Sequence, residues 1–395
     1  MHASGVCGLG ATPGGPTMIY SLRQYLFLVI LAGILSAGFH WVGLVKGAPL
    51  QIFYSDIAGF FQQASAPGFP YLEKNIEYPP LIGIFMHWMG QLGKTQVSYY
   101  ILSVLFLIFF AALATYFLYK ILPAENRDRL IIYWIFAPSM LVFLTYNWDI
   151  ISILFVAAAF YFVRQNRYPL ASGFLALGAS AKLYPILYLA PLFLKAKDWT
   201  ERIKIAGVSG LTLLAVNLPF MLENFSGWSY FWRLNAERNS NPDSIWTIAR
   251  FFFRNLDISD INIFSLVLFL GAAGFLLWKF RQESFLKLCF GLTIIFLLFN
   301  KVFTPQYLMW LLPFFVLMPE LKKNTFYALE FSNLAVLFSI LPWFFVSQDI
   351  LYFYLASPFV ILRHLILIYL IFSKNTGFGI QSQSRRKPIF FRYLS

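Results

Sequence analysis

The chain has 395 residues, of which 59% are hydrophobic and only 12% charged. That excludes an ordinary soluble enzyme, a disordered chain and a disulfide-stapled secreted domain. Thirty Lys and Arg against 17 Asp and Glu give a net charge of +13; on a chain of long apolar runs this excess points to basic cytoplasmic loops of a polytopic membrane protein, with membrane lipids and no nucleic acid as partners.

Residues 1–19 are rich in Gly and Pro and lack the apolar core of a signal peptide. They are expected to be a disordered or mis-called N-terminal extension, with Met18 as the alternative true start after Thr17. Residues 20–373 are expected to form one transmembrane unit. Its first span is Tyr25–Val45. A mixed segment, Lys46–Tyr78, carries Asp56, Glu73 and Glu77. After Pro79 and Pro80 the run Leu81–Met89 is too short to cross and is expected to be re-entrant or interfacial. Further spans are expected at Val97–Leu122, Leu130–Tyr146, Ile150–Val163, Tyr168–Ala181, Leu183–Leu194, Ile205–Leu222, Ile261–Trp278, Phe285–Phe299, Gln306–Met318, Thr325–Phe345 and Ile350–Phe372. Several fall short of the ~20 residues of a full crossing, so they must pack inside protein or line a cavity. Residues 374–395 are expected to be a basic cytoplasmic tail.

The fold class is therefore all-α, a polytopic transmembrane helical bundle of about twelve spans, some short or re-entrant. Placing Arg23 inside puts most Lys and Arg on the same side, with both termini cytoplasmic. That count requires Tyr168–Leu194 to be a hairpin with Lys182 at its tip; a single crossing would throw the Lys195–Lys204 cluster outside. The longest polar stretch, Glu223–Asp260, becomes an outer loop with aromatic residues that can cover a site.

On this topology unusual polar residues gather at one membrane face: Tyr54 and Asp56, Glu77 and Tyr78, Asn147 and Asp149, Lys182 and Tyr184, Asn300 and Lys301, Gln306 and Tyr307. Ionisable groups beside apolar spans are costly unless paired or functional. A set holding both carboxylates and cations suits a site that deprotonates a nucleophile and holds an anion. Asp56, among Phe53, Tyr54, Phe60 and Phe61, is the candidate general base, with a loop aspartate or helix cap as the alternative. Asn147 and Asp149 also fit simple turn chemistry. Lys182 and Lys301 are candidates for holding a phosphate as point charges, and Arg233, Arg238, Arg250 and Arg254 of the outer loop can share that task or contact lipid headgroups. Tyr78, Tyr184 and Trp310 can shape an aromatic groove or anchor the interface. Arg363 and His364, inside the last span, receive no role. His2, His40, His87, His364, Cys7 and Cys289 form no metal-ligand spacing, and no Gly-rich phosphate loop is present.

In order along about Tyr20–Phe345, Tyr54-Ser-Asp56, Glu77-Tyr78-Pro79-Pro80-Leu81, Asn147-Trp-Asp149, Ala181-Lys182-Leu-Tyr184-Pro185 and Asn300-Lys301-Val-Phe-Thr-Pro305-Gln306-Tyr307-Leu-Met-Trp310 form a pattern that resembles the GT-C superfamily of integral-membrane glycosyltransferases. Within it the chain looks like glycosyltransferase family 87 and its mannosyltransferase relatives. The resemblance implies a polyprenyl-phosphate sugar donor, typically mannose, a lipid or glycan acceptor, and an inverting transfer on the extracytoplasmic face, and the protein is expected in the cell membrane. It places Asp56 as base. Some GT-C enzymes carry paired acids in the first outer loop; here Asp56 stands alone, which favours a site with no metal and no other cofactor. A transporter or flippase of lipid-linked sugars and a structural membrane subunit are the competing readings. The absence of a visible internal repeat and the gathering of polar residues at one face, not the midplane, speak against the transporter.

Overall fold

A computed structural model describes residues 20–46, 53–345, 350–373 and 378. The expected N-terminal extension and most of the basic tail lie outside these residues. The described residues are helical and contain no strand, only an isolated bridge between Pro70 and Lys74.

The elements follow in order. Helix α1 (Leu22–Lys46) leads to two short helices, α2 (Asp56–Gly59) and α3 (Phe61–Ser65), and then to α4 (Pro80–Leu92) and α5 (Gln96–Ile121). A single turn, α6 (Asp128–Leu130), runs into a π-helical stretch over Ile131–Ile135 and restarts as α7 (Pro138–Phe143). Next come α8 (Asp149–Arg164), α9 (Tyr168–Ala179), a 3₁₀ segment (Tyr184–Tyr188), α10 (Leu189–Lys195) and α11 (Trp199–Glu223). The outer loop is itself helical, as α12 (Phe225–Glu237) and α13 (Ile245–Phe252). The chain closes with α14 (Ile258–Lys279), α15 (Phe285–Phe299), a 3₁₀ segment (Pro305–Leu311), α16 (Leu312–Leu317), α17 (Lys323–Phe345) and α18 (Ile350–Phe372).

Among the described residues six helices, α1, α5, α11, α14, α17 and α18, are long and apolar enough to cross a membrane. The other expected spans are short or broken, and the chain is a multi-pass all-α membrane protein. Burial explains why the short ones survive. Helix α8 is buried almost all round, with Ala157, Ala158 and Ala159 allowing close approach of α5 and α9. The broken span is held by side chains that meet its loose backbone. Ser139, in the first turn of α7, donates from its backbone N and its Oγ to the Glu330 carboxylate of α17 (2.7 and 2.8 Å). At the other end Arg129 donates to the carbonyls of Val316 (2.9 Å) and Met318 (2.8 Å), where α16 stops.

The hairpin at Lys182 can be read from packing. A Cβ added to Gly178 would lie 3.1 Å from the Pro185 ring. Residues seven apart on one helix are two turns distant, so the chain must fold back here. Ser172 of α9 donates to the Ile205 carbonyl of α11 (3.1 Å), and Asn217 of α11 reaches Ser180 (3.5 Å). Helices α9 and α11 therefore run parallel, and α10 returns the chain between them. Lys182 and the Lys195–Lys204 cluster lie at opposite ends of the bundle.

This arrangement predicts accessibility. In a background lacking Cys7 and Cys289, single cysteines at Arg167 and Lys204 should react with an impermeant thiol reagent from one side of the membrane, and a cysteine at Asn239 from the other. Reaction of the Arg167 and Lys204 positions from opposite sides would contradict the hairpin.

Candidate active site

The short and broken helices end at a common level, and there a cavity of about 620 Å³ opens. Tyr54, Asp56, Glu77, Tyr78, Asn147, Lys182, Tyr184, Asn300, Lys301, Gln306 and Tyr307 all line it. Asp149 does not: it sits one layer behind the wall.

The first loop is pinned to the turn after α7. Ser55 Oγ donates to the carbonyls of Thr145 (2.9 Å) and Tyr146 (3.1 Å), and the Ile57 amide donates to Tyr146 (3.3 Å). Asp56 opens α2, whose cap residue Ser55 makes no side-chain cap bond. Its Oδ2 accepts from Asn147 Nδ2 (2.6 Å), and Tyr54 bonds to the same carboxylate. Asn147 serves both readings of its turn. Its Oδ1 takes the Trp148 amide (2.6 Å), which fixes the side chain, and its Nδ2 also reaches the Tyr78 hydroxyl (3.3 Å). Burial pushes the Asp56 carboxyl up from 3.8 to about 6, against the Asn147 bond, the Lys182 charge and the Tyr54 bond. Burial likewise raises Glu77, against the charges of Arg238 and Lys182.

Behind this wall Asp149, fully buried, accepts from Trp310 Nε1 at Oδ1 (2.8 Å) and faces Lys182 Nζ at Oδ2 (3.5 Å). Lys182 Nζ lies 5.0 Å from the Tyr78 ring centroid and 5.7 Å from that of Tyr307. Trp310 is stacked between Tyr184 and Tyr307, with centroids 4.2 and 4.0 Å away. Both faces of Trp310 are thus occupied, and its part in an aromatic groove is to support Tyr307 and Tyr184.

The opposite wall comes from the outer loop. Lys301 Nζ donates to the Ala236 carbonyl (3.0 Å), and the Asn241 amide donates to the Lys301 carbonyl (3.0 Å). Arg238 lines the cavity and donates to Asn241 Oδ1 (3.2 Å). Burial, then the Arg238 charge, lowers the Lys301 ammonium. Arg233 and Arg250 turn away, to the Ser226 carbonyl (2.9 Å) and Asn239 Oδ1 (3.2 Å), and neither these nor Arg254 is part of the cavity wall.

Sequence reasoning missed Asp243. It lines the cavity, is 2% exposed, and burial, opposed chiefly by Arg363, pushes its carboxyl up to about 6. Arg363, also unassigned, is fully buried in α18 and donates to the carbonyls of Asp243 (2.7 Å) and Phe303 (3.1 Å) and to Asn333 Oδ1 (2.9 Å). A charged residue in an apolar span demands partners, and that demand was the available signal. Among the described residues no three His, Cys, Asp or Glu side chains cluster as metal ligands.

The cavity brings together a carboxylate raised by burial, several cations and tyrosine rings. The model of glycosyltransferase family 87 matches residues 76–305, more than half of the sequence, and the chain belongs to that family. It is a glycosyltransferase. Among curated proteins it is similar to GPI mannosyltransferase 1 of Kluyveromyces lactis, 24% identical over 334 residues covering 77% of this chain and 80% of the relative. The protein of the same name from Saccharomyces cerevisiae is 24% identical, covering 73% and 77%, and that from Candida albicans 22% identical, covering 84% and 90%.

The ion pair behind the wall gives a stability prediction. Asp149→Ala leaves Lys182 buried without its carboxylate and should cost about 3–5 kcal/mol, whereas Asp149→Asn, which keeps an acceptor for Trp310, should cost less. Thermal unfolding in detergent ranks the two; equal melting temperatures for both variants and the parent would contradict the pairing.

Proposed function

We propose that the protein transfers mannose from a polyprenyl-phosphate donor to a hydroxyl of a lipid-linked or glycan acceptor, with inversion at C1, on the extracytoplasmic face of the cell membrane. Mannose is the sugar named in the relatives. The observation that carries the reading is the placement of Asp56 and the cations Lys182, Arg238 and Lys301 on one cavity wall system.

The chemistry follows from those groups. Asp56 takes the proton from the acceptor hydroxyl as its oxygen bonds to C1 of the sugar. The bond from C1 to the phosphate oxygen breaks, and its electron pair leaves with the phosphate. Lys182, Arg238 and Lys301 meet the negative charge that collects there. A donor already activated as a phosphodiester needs no further group for this step, so the reading uses no cofactor. The prenyl chain has a place to lie. A second, apolar cavity of about 920 Å³ between α14, α15 and α18 is lined by Trp246 and Phe299, whose sequence neighbours Asp243 and Asn300 line the first.

Asp56→Asn keeps size and most hydrogen bonding but cannot take the proton. Transfer from polyprenyl-phosphate mannose should fall ~10²–10⁴-fold in a variant that folds normally. Because the base must be ionised, kcat/KM of the parent should fall as pH drops through about 6, with the carboxylate active above that value. An active Asp56→Asn enzyme, or a flat profile across that range, would refute Asp56 as base. Lys182→Ala and Lys301→Ala should raise donor KM more than the corresponding Arg variants; donor kinetics equal to the parent in both would move the phosphate partner to Arg238. Protected movement of the donor across vesicles without transfer would mark a flippase instead.

A further inference from the structure

Asp243, like Glu77, is a carboxylate of the cavity that the transfer step does not use. Its backbone is held firmly. The carbonyl accepts from Arg363 (2.7 Å), and the next amide, Ser244, donates to the Asn241 carbonyl (2.9 Å). The side chain is not held in the same way. Asn241 serves part of the carboxylate, but Oδ1 is buried without a hydrogen-bond partner, and no ion pair reaches it among the described residues. The Arg363 guanidinium directs its bonds at the Asn333, Asp243 and Phe303 oxygens named above and not at this carboxylate. A counter-charge role toward Arg363 accounts for the negative charge but leaves the open oxygen unexplained. Asp243 lines the cavity, and a buried acceptor without a donor is costly until a neighbouring group supplies one.

We propose that Asp243 accepts hydroxyls of the hexose being transferred and so helps set which sugar the site takes. The inference rests on the proposed function. It assigns Asp243 to the donor sugar because the segment that carries it also carries Arg238 and is bonded to Lys301, the cations given to the donor phosphate. The hexose is joined to that phosphate, whereas Asp56 approaches from the wall formed by the first loop. Sugar hydroxyls are donors, and a site built to bond a hydroxyl rejects a sugar that lacks it or points it elsewhere.

The test uses the full-length protein in lipid vesicles with polyprenyl-phosphate mannose and polyprenyl-phosphate glucose, which differ in one hydroxyl configuration. Asp243→Asn should raise KM for the mannose donor about tenfold or more, leave acceptor KM unchanged, and reduce the preference between the two donors. A purely structural role would lower thermal stability and the amount of active protein but leave donor KM and donor preference as in the parent; that result overturns the inference. A rise in acceptor KM alone overturns it too. Should Asp243→Asn fail to fold, the parent is imaged with an inert C-glycosidic phosphonate analogue of the mannose donor. A sugar hydroxyl at hydrogen-bond distance from the Asp243 carboxylate supports the inference, and its absence refutes it. Failure of the parent to transfer from either donor removes the proposed function itself; transfer by the parent with unaltered Asp243→Asn kinetics removes only this inference.

Discussion

The walls of the cavity depend on one buried ion pair. Asp149 and Lys182 belong to different elements, the first turn of α8 and the tip of the α9–α10 hairpin, and Trp310 brings in a third, the 3₁₀ segment before α16. Moving either charge out of water is expensive, and only mutual attraction with further hydrogen bonds offsets it. Trp310 supplies one such bond, the start of α8 favours a negative charge, and the rings of Tyr78 and Tyr307 lie near the ammonium. The consequence is geometric. The hairpin tip and the tryptophan are held together, and Lys182 is delivered to the cavity wall.

A second buried cation does similar work on the far wall. Arg363 ties Asp243, Phe303 and Asn333 together, so α18, the outer loop and the segment after α15 meet at one side chain. Between the two ties the short spans stop at one level. This is why polar residues collect at one end of the bundle rather than at its midplane. A full-length helix would carry its polar terminus out to water; a helix that ends early leaves it inside, where Asn147, Lys182 and Lys301 can face a common space.

Much of this was legible in the sequence, for physical reasons. Charge beside apolar runs is costly enough that Asp56, Glu77, Lys182 and Lys301 stood out, and Pro80 marked the start of α4; the break before α7 at Pro138 was not read. The hairpin followed from the charge count and is seen in the contact of Gly178 with Pro185. What could not be read was depth. Asp149 looked like a cavity residue because spacing cannot tell the first layer from the second. Trp310 lines the cavity as an aromatic residue, but its stacking partners, residue 184 far away in the chain and residue 307, could not be read from spacing. Asp243 looked like an outer-loop residue among polar neighbours; only the partner of Arg363, 120 residues later, shows that the loop dips into the protein.

The central claim is a single displacement at the sugar carbon, with Asp56 on one side and the departing phosphate on the other. It is tested most directly by the anomeric configuration of the product, read by NMR after transfer of ¹³C-labelled mannose from a polyprenyl-phosphate donor of known anomer by the purified protein. The account predicts a linkage of opposite configuration to the donor's. A product that retains the donor's configuration would contradict it.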